Sequence, residues 1–340
     1  MSARVAVLLT ASATALAVVG VARADGLPVL GVDAGPTGVT TPAGSARYVT
    51  IPAGRNTVVA GVRSDGGRII RSRLLIGTFT IPAVAYDGSA SGLSADGHTL
   101  VLITPRMAFP RARTTLLVLR APLLAPTETI RLRGDFSFDA ISPQGHLMYL
   151  IEYTNPEDPT RYAVRAYDLV RGRLLHAPVV DPRETDEKMR GNPISRALSP
   201  DGRWAYTLYD GGGGTPFVHA LDTRRRTARC IDLDALKGSQ YLWRLRLRAS
   251  GDGDLLAIRD GKEVELLVST RTFEPRRPSA AKAASATGSA GSGLGWPLAV
   301  LAAAGALATA AALIAFGRRK HLWPRTARHE RRSSAASDSV

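Results

Sequence analysis

The chain has few of the residues that most catalytic and metal sites require. Of its 340 residues, one is a cysteine, Cys230, and six are histidines. A single cysteine excludes an intramolecular disulfide and a cysteine-based metal site. The histidines are scattered and form neither a His-Glu-x-x-His motif nor a carboxylate–histidine cluster, so the sequence gives no support for zinc. We therefore expect no cofactor and no metal, and the sequence names no catalytic residue.

Motifs for phosphate binding and for nucleophilic catalysis are also missing. The glycine run Gly211–Gly214 is not followed by Lys-Ser or Lys-Thr, so it is not a phosphate-binding loop. The segment Gly88–Gly92 has the glycines of a nucleophile elbow, but its central residue is Ala90. Both segments are predicted to be flexible connections.

Positive charge is abundant, with a formal net charge of +15, but it is unevenly placed. The last 23 residues hold seven Lys or Arg and two acids, and Arg4 and Arg23 lie in the first 24 residues. Between them, no basic helix with interleaved aromatic residues occurs. The charge therefore does not predict nucleic-acid binding.

Residues 1–24 have the pattern of a secretory signal peptide. Arg4 is followed by an apolar run from Val5 to Val21 and by the small-x-small site Ala22-Arg23-Ala24. We expect cleavage before Asp25, the alternative being an uncleaved signal anchor.

Residues 296–317 are predicted to form one transmembrane helix. The 20 residues from Pro297 to Phe316 carry no charge, and Trp296 and Trp323 bracket them. The basic residues that follow predict a cytoplasmic tail over 318–340 by the positive-inside rule. The prediction is a single-pass type I protein of the plasma membrane with its large domain outside; a wall-sorting signal is the alternative, but no Leu-Pro-x-Thr-Gly precedes the helix.

Two further segments complete the predicted organisation. Residues 275–295, rich in Ala, Ser, Gly and Pro, are expected to form a flexible stalk between the extracytoplasmic domain, 25–274, and the membrane. Ala302, Ala306 and Ala310 share one helix face and would permit two helices to pair closely, although such spacing also arises by chance in an Ala-rich segment.

A repeated turn dominates the middle of the chain. Copies occur at Ser94–Gly97, Ser142–Gly145, Ser199–Gly202 and Ser250–Gly253, after a degenerate copy at Thr41–Gly44. Proline at its second position presets φ, aspartate bonds to nearby backbone, and glycine takes the positive φ that ends the turn. Each copy precedes an apolar β-run, and the copies lie roughly 50 residues apart, which is the spacing of four-stranded propeller blades.

These turns and strands resemble the WD40-like repeats of TolB-type propeller proteins, and Tyr48-Val49-Thr50 is similar to the opening of YVTN repeats. The resemblance covers about residues 35–273 and implies an all-β fold, a β-propeller of about five four-stranded blades. Such propellers usually have six to eight blades. A closed five-bladed ring, a ring with further blades, and an open stack therefore stay open as alternatives.

The connections of such a blade predict where a partner would bind. If the Ser-x-Asp-Gly turn joins the first strand to the second, the long connections gather at the opposite end, and long loops on a rigid scaffold usually hold recognition residues. The candidate partner-binding residues on these loops are Arg106, Arg111, Arg113, Glu157, Asp158, Arg161, Arg183, Glu184, Asp186, Glu187, Lys188 and Arg190. Ordinary solvated loops are the alternative.

Three functions are consistent with this pattern. The first is a non-enzymatic binding or scaffold module of the bacterial cell envelope, with another envelope protein as partner. The second is a lactonase-like propeller hydrolase, which a cluster of carboxylates or histidines at the centre of the ring would favour. The third is a single-pass envelope sensor acting through the basic tail.

Overall fold

The computed structural model describes residues 38–186 and 189–278. The predicted signal peptide, membrane helix and tail, most of the predicted stalk, and Glu187 and Lys188 lie outside the described residues. Within 38–186 and 189–278, no helix has the length and apolar character needed to cross a membrane.

The described chain forms five antiparallel sheets in sequence order, each with one copy of the repeated turn. Sheet 1 contains β1 (Val39–Thr40), β2 (Ala46–Ala53), β3 (Asn56–Arg63) and β4 (Ile69–Leu75). Sheet 2 contains β5 (Thr99–Ile103), β6 (Arg113–Arg120) and β7 (Ala125–Arg133). Sheet 3 contains β8 (Phe136–Ile141), β9 (Leu147–Tyr153), β10 (Tyr162–Asp168) and β11 (Arg173–Pro178).

Sheets 4 and 5 repeat the pattern. Sheet 4 contains β12 (Pro193–Leu198), β13 (Trp204–Tyr209), β14 (Phe217–Asp222) and β15 (Thr227–Asp232). Sheet 5 contains β16 (Leu245–Ala249), β17 (Leu255–Asp260), β18 (Glu263–Ser269) and β19 (Pro275–Arg276). Short 3-10 turns lie at Ala121–Leu123, Gly211–Gly213, Asp234–Leu236 and Leu242–Arg244. The all-β prediction is confirmed, and five consecutive antiparallel meanders are the arrangement of propeller blades.

In sheets 1, 3, 4 and 5 the repeated turn joins the first strand to the second, as the sequence predicts, whereas in sheet 2 the turn at Ser94–Gly97 directly precedes β5. At Ser199–Gly202, the Ser199 hydroxyl donates to Asp201 Oδ1 (2.6 Å), and the N–H of Trp204 donates back to Ser199 Oγ (2.9 Å). Gly202 has a φ of +67°, which glycine adopts without the steric cost of a Cβ. The aspartate therefore builds the turn, which confirms its predicted role.

Sheets 4 and 5 contact each other most closely through their first strands. β12 packs along β16, where the N–H of Leu247 donates to Ser195 Oγ (3.0 Å). Between these sheets, Tyr206, Leu208, Leu256 and Ile258 form part of a buried apolar cluster. The first strands are thus the inner strands of the fold, and apolar layers between sheets form the core.

Sheet 2 differs from the prediction of four regular strands. Thr80 and Leu93 form isolated bridges with Ile103 and Leu100 of β5, so the inner edge of the sheet is paired only at its two ends. Between them, residues 81–91 leave the sheet as a hairpin in which the Val84 N–H donates to the Ser89 carbonyl (2.8 Å). The sequence predicts a flexible connection at Gly88–Gly92, but in the structure most of this segment belongs to a hydrogen-bonded hairpin.

The hairpin tip docks on the inner edge of sheet 4. The N–H groups of Tyr86 and Asp87 donate to the carbonyls of Pro193 (2.9 Å) and Ile194 (3.1 Å). The β12–β13 register shifts at this point, and such a bulge leaves backbone groups outside the ladder. We call residues 81–91 the central hairpin.

The C-terminal boundary of the sheet domain lies slightly beyond the predicted one. Pro275 and Arg276, which the sequence assigned to the stalk, form β19 and pair with Val268 and Leu267 of β18. Cys230 lies half-buried on β15.

We predict that Gly92→Ala lowers the free energy of unfolding by about 3 kcal/mol. Gly92 directly follows the central hairpin with a φ of +116°, and a Cβ there would lie 2.6 Å from the Val101 carbonyl oxygen. Gly88→Ala is the matched control, because Gly88 also has a positive φ (+81°) but faces open space; it should cost about 1 kcal/mol. Urea denaturation measures both, and equal losses would contradict the close approach as the cause.

Candidate functional site

The long connections gather at one end of the sheets, which we call the loop face; the end with the repeated turns is the turn face. Two contacts show how the loops meet, one between sheets 3 and 4 and one within sheet 4. Arg161, after β9, forms a bridge with Arg190, before β12. Asn192 donates through its amide to Asp210 Oδ2 (2.7 Å), and Asp210 also accepts from the Gly212 N–H (2.9 Å). The Gly211–Gly214 segment is therefore held in place by Asp210.

Two of the predicted partner-binding arginines are buried inside the fold. Arg106 is 4% exposed and binds Asp135 Oδ1 through Nη2 (2.7 Å) and Ser137 Oγ through the same nitrogen (2.9 Å). Arg111 Nε also reaches Asp135 Oδ1 (3.2 Å), and its side chain is 12% exposed. Burial and the neighbouring Arg106 lower the pKa of Arg111 to about 10, although Asp135 opposes that shift. Both guanidinium groups thus hold β8 against the loop after β5, and their expected surface position is wrong.

Of the other predicted residues, those that the structure describes lie on the loop face, and several form local ion pairs. Asp158 accepts from Arg161 Nε (3.1 Å), and Asp181 accepts from Arg183 Nη2 (2.6 Å). Exposed predicted residues are Arg113, Glu157, Arg161, Arg183, Glu184, Asp186 and Arg190. Exposed pairs such as Arg161–Asp158 contribute little stability, so their side chains stay available to a partner, whereas the Asp181 carboxylate that holds Arg183 is 1% exposed.

The loop face also exposes large apolar residues that the charge pattern of the sequence does not predict. Met107 is 91% exposed, Ile76 83%, Trp243 66% and Tyr241 59%. All four lie on connections between strands at the loop face. Tyr241 and Trp243 flank Leu242 in the connection between sheets 4 and 5. The signal available in the sequence is Tyr241-Leu242-Trp243-Arg244, an aromatic pair between predicted strands. The charged residues of the loops alone do not predict these exposed apolar side chains.

The centre of the fold is a second candidate site, because a hydrolase would place its reactive groups there. Asp139 lies at a register shift between β8 and β9, and this bulge directs its carboxylate at Arg196 of β12. Each of these side chains is 4% exposed, and Arg196 Nη1 also donates to the Asp139 carbonyl (3.1 Å). The carboxylate is therefore neutralised and enclosed.

A polar row continues outward from this ion pair. Arg196, Thr207, His219 and Cys230 are cross-strand partners in sheet 4, so their side chains lie on one face, toward sheet 3. His219 is 2% exposed. Burial lowers its pKa to about 4, against an opposing effect of Asp139, so the ring is neutral at pH 7.

The space beside these groups is too small for an organic substrate. A cavity of about 10 Å³ lies between Val84 of the central hairpin, Phe138, Tyr162 and Tyr209, which is the room that one water needs. Burial raises the pKa of the Tyr162 phenol well above its usual range. Among the described residues, no group of three or more His, Cys, Asp or Glu side chains is placed to hold a metal.

We predict that Asp139→Ala lowers the free energy of unfolding by about 3–5 kcal/mol, because it leaves the Arg196 charge buried and unpaired. The double variant Asp139→Leu/Arg196→Met should be more stable than the single variant, since it removes both charges. Asp254→Ala is the control: its partner Arg271 is 77% exposed, so the loss should stay below about 1 kcal/mol. Urea denaturation measures all three, and a single-variant loss as small as the control's would mean that no uncompensated charge is buried there.

We also predict that His219 makes the protein less stable as pH falls from about 6.5 to about 4. In that window the unfolded histidine binds a proton and the buried one does not, so stability drops by on the order of 3 kcal/mol in total. The variant His219→Gln should lose this part of the pH dependence. Urea denaturation at pH 7.5, 6 and 5 compares the two slopes, and parallel slopes would show that His219 does not titrate this way.

Comparisons with known proteins give a fold likeness only. No family model matches the chain, and no curated protein matches it. A functionally unknown protein from Desulfotomaculum acetoxidans is 14% identical, with a TM-score of 0.44 over 71% of this chain and 68% of that one. TolB from Acinetobacter baumannii is 14% identical, with a TM-score of 0.39 over 70% of this chain and about half (52%) of that one. A candidate 6-phosphogluconolactonase from Bacteroides uniformis is 17% identical, with a TM-score of 0.41 over 69% of this chain and 67% of that one.

Proposed function

We propose that this chain is a membrane-tethered binding module of the bacterial cell envelope, which holds another envelope protein on its loop face. The signal sequence at 1–24 and the apolar segment at 296–317 support the extracytoplasmic, single-pass part of the proposal. A helix formed by this apolar segment would supply the membrane contact that the proposal needs.

One observation supports the binding role above the others. Met107, Ile76 and Trp243 are among the most exposed large apolar side chains of the described residues, and all three lie on the loop face. Exposed aromatic and Met residues among charged ones are the composition of a protein-binding surface, with Trp and Tyr frequent among the energetically dominant contacts. The charged residues around them, such as Glu157 and Arg183, would form the polar rim.

The hydrolase alternative fits the geometry less well. It would need a substrate pocket of a few hundred Å³ with an accessible acid or base. The central cavity of about 10 Å³ and the ion-paired Asp139 supply neither.

We predict that removing the exposed apolar side chains from the loop face abolishes partner binding. The full chain would be crosslinked in intact membranes and purified, and the recovered proteins compared for the native chain, for Met107→Ala/Trp243→Ala and for Val170→Ala. Val170 is a matched control, because it is 72% exposed but lies on the turn face, between β10 and β11. Loss of an aromatic contact at a dominant position should reduce recovery about tenfold or more.

The expected result is a defined protein that the native chain and Val170→Ala both recover and the loop-face variant does not. Equal recovery by all three chains would exclude the loop face as the binding surface. If the native chain recovers no protein, the binding-module proposal fails and hydrolase assays become the next experiment. Arg106 and Arg111 are unsuitable targets, since changing them would unpair buried Asp135.

A further inference from the structure

The positive charge of the sheet domain is concentrated in its first two sheets. Residues 38–133 contain twelve arginines and only four carboxylates, Asp65, Asp87, Asp96 and Glu128. Residues 134–278 contain 22 Lys or Arg and 21 carboxylates, so they are nearly neutral. The excess therefore belongs to one side of the domain rather than to the domain as a whole.

A groove lies between sheets 1 and 2 on that side. It has a volume of about 330 Å³ and runs between β4 and the pair β6–β7. Leu75, Phe79, Leu117 and Pro126 supply apolar lining, and Arg73 and Arg131 lie at its two sides.

Several arginines near the groove have no carboxylate partner. Arg113 and Arg133 are cross-strand partners in sheet 2, next to the pair Thr115 and Arg131, so their side chains share the face toward sheet 1. Arg71 and Arg73 alternate with Leu75, whose side chain packs against sheet 2, so they share that side of β4. No ion pair links any of these five arginines to another described residue.

β4 is also an edge strand with an unusual surface. It ends sheet 1, and β3 is its only strand neighbour in the described part of the chain. Ile69, Ile70 and Leu74 are each more than half exposed. An open strand edge with exposed apolar residues is a template on which another extended segment can pair.

Charge argues against a second copy of this chain as the occupant. The centre of β4 is Ser72, with Arg71 and Arg73 on either side. If two β4 strands paired antiparallel with full overlap, Arg71 of each would lie opposite Arg73 of the other, and like charges directly opposite each other destabilise a pair. A strand with carboxylates at the corresponding positions would meet both arginines favourably.

We propose that β4 accepts an extended acidic peptide segment of a partner protein, which adds to sheet 1 as a fifth strand and places its carboxylates and apolar side chains in the groove. Backbone hydrogen bonds to the β4 edge supply general affinity. Arg71, Arg73 and Arg131 select carboxylates, and Leu75 and Leu117 accept an apolar side chain. Ile76 of the loop face lines one end of the groove, but Met107 and Trp243 do not, so substitutions at these two residues distinguish this inference from the function proposed for the loop face.

The test uses a labelled peptide, Val-Thr-Glu-Thr-Glu-Thr-Val, and the full chain in detergent. Its Val and Glu side chains lie on one side of an extended strand in either chain direction, and fluorescence anisotropy measures its binding. Replacing both Glu by Lys should weaken binding at least tenfold. A peptide N-methylated at every residue should also bind at least tenfold more weakly, because neither of its edges can donate to the strand ladder.

The variant Arg73→Ala/Arg131→Ala should bind the Glu peptide about tenfold more weakly. Arg173→Ala/Arg248→Ala is the matched control, since both arginines are exposed strand residues of other sheets, and binding should stay within about twofold of native. Met107→Ala/Trp243→Ala should also bind the peptide normally, which separates this proposal from that for the loop face.

Three results would overturn the proposal: no binding of the Glu peptide, equal binding of the Glu and Lys peptides, or equal binding of the peptide with and without N-methylation. Vesicles of phosphatidylglycerol form a further arm. If they bind the native chain through Arg73 and Arg131 while the Glu peptide does not bind, the arginines face an anionic membrane, and the acidic-strand proposal is wrong.

Discussion

The structure depends on how the first strands of neighbouring sheets are held together near the centre. The inner edge of each first strand has backbone groups outside its own ladder, and buried backbone groups need partners. Polar side chains supply some of these contacts, as when Ser195 accepts from the Leu247 N–H. Ion pairs supply others, since Arg196 joins β12 to Asp139 of β8. With a single cysteine in the chain, no intramolecular disulfide contributes to these joints.

The central hairpin follows from the same requirement. Its tip hydrogen-bonds the inner edge of β12 at a bulge, and its Val84 packs with Phe138 and Leu150 of sheet 3. The hairpin thereby fills most of the space beside Phe138, Tyr162 and Tyr209. Because this filling leaves room for about one water, the described centre is packed as part of the core.

The sequence predicts those features that local rules control. The Ser-x-Asp-Gly turns close by hydrogen bonds within five residues, so both their positions and the strands after them could be inferred; β9 and β13 begin at the predicted Leu147 and Trp204. The central hairpin could not be inferred, since Gly88–Gly92 acquires its structure from strands far away in sequence. Arg106 could not be inferred to be buried for the same reason, because nothing in the neighbouring sequence shows that its side chain will pair with Asp135, 29 residues later, inside the fold.

Exposure separates the two kinds of arginine better than sequence position does. Arg106 and Arg196 are enclosed and paired, so each neutralises a carboxylate that would otherwise destabilise the interior. Arg73 and Arg131 lie beside an apolar groove and have no carboxylate to neutralise. Because water solvates their charges, they cost no stability, but they leave a positive electrostatic potential at the groove. In residues 134–278, acids and bases are nearly equal in number, whereas residues 38–133 hold three arginines for each carboxylate. An excess confined to two sheets of a repeat protein is not required by the turn, the strand pattern or the core, and it is the reason that the proposed acidic segment is placed on that side of the domain.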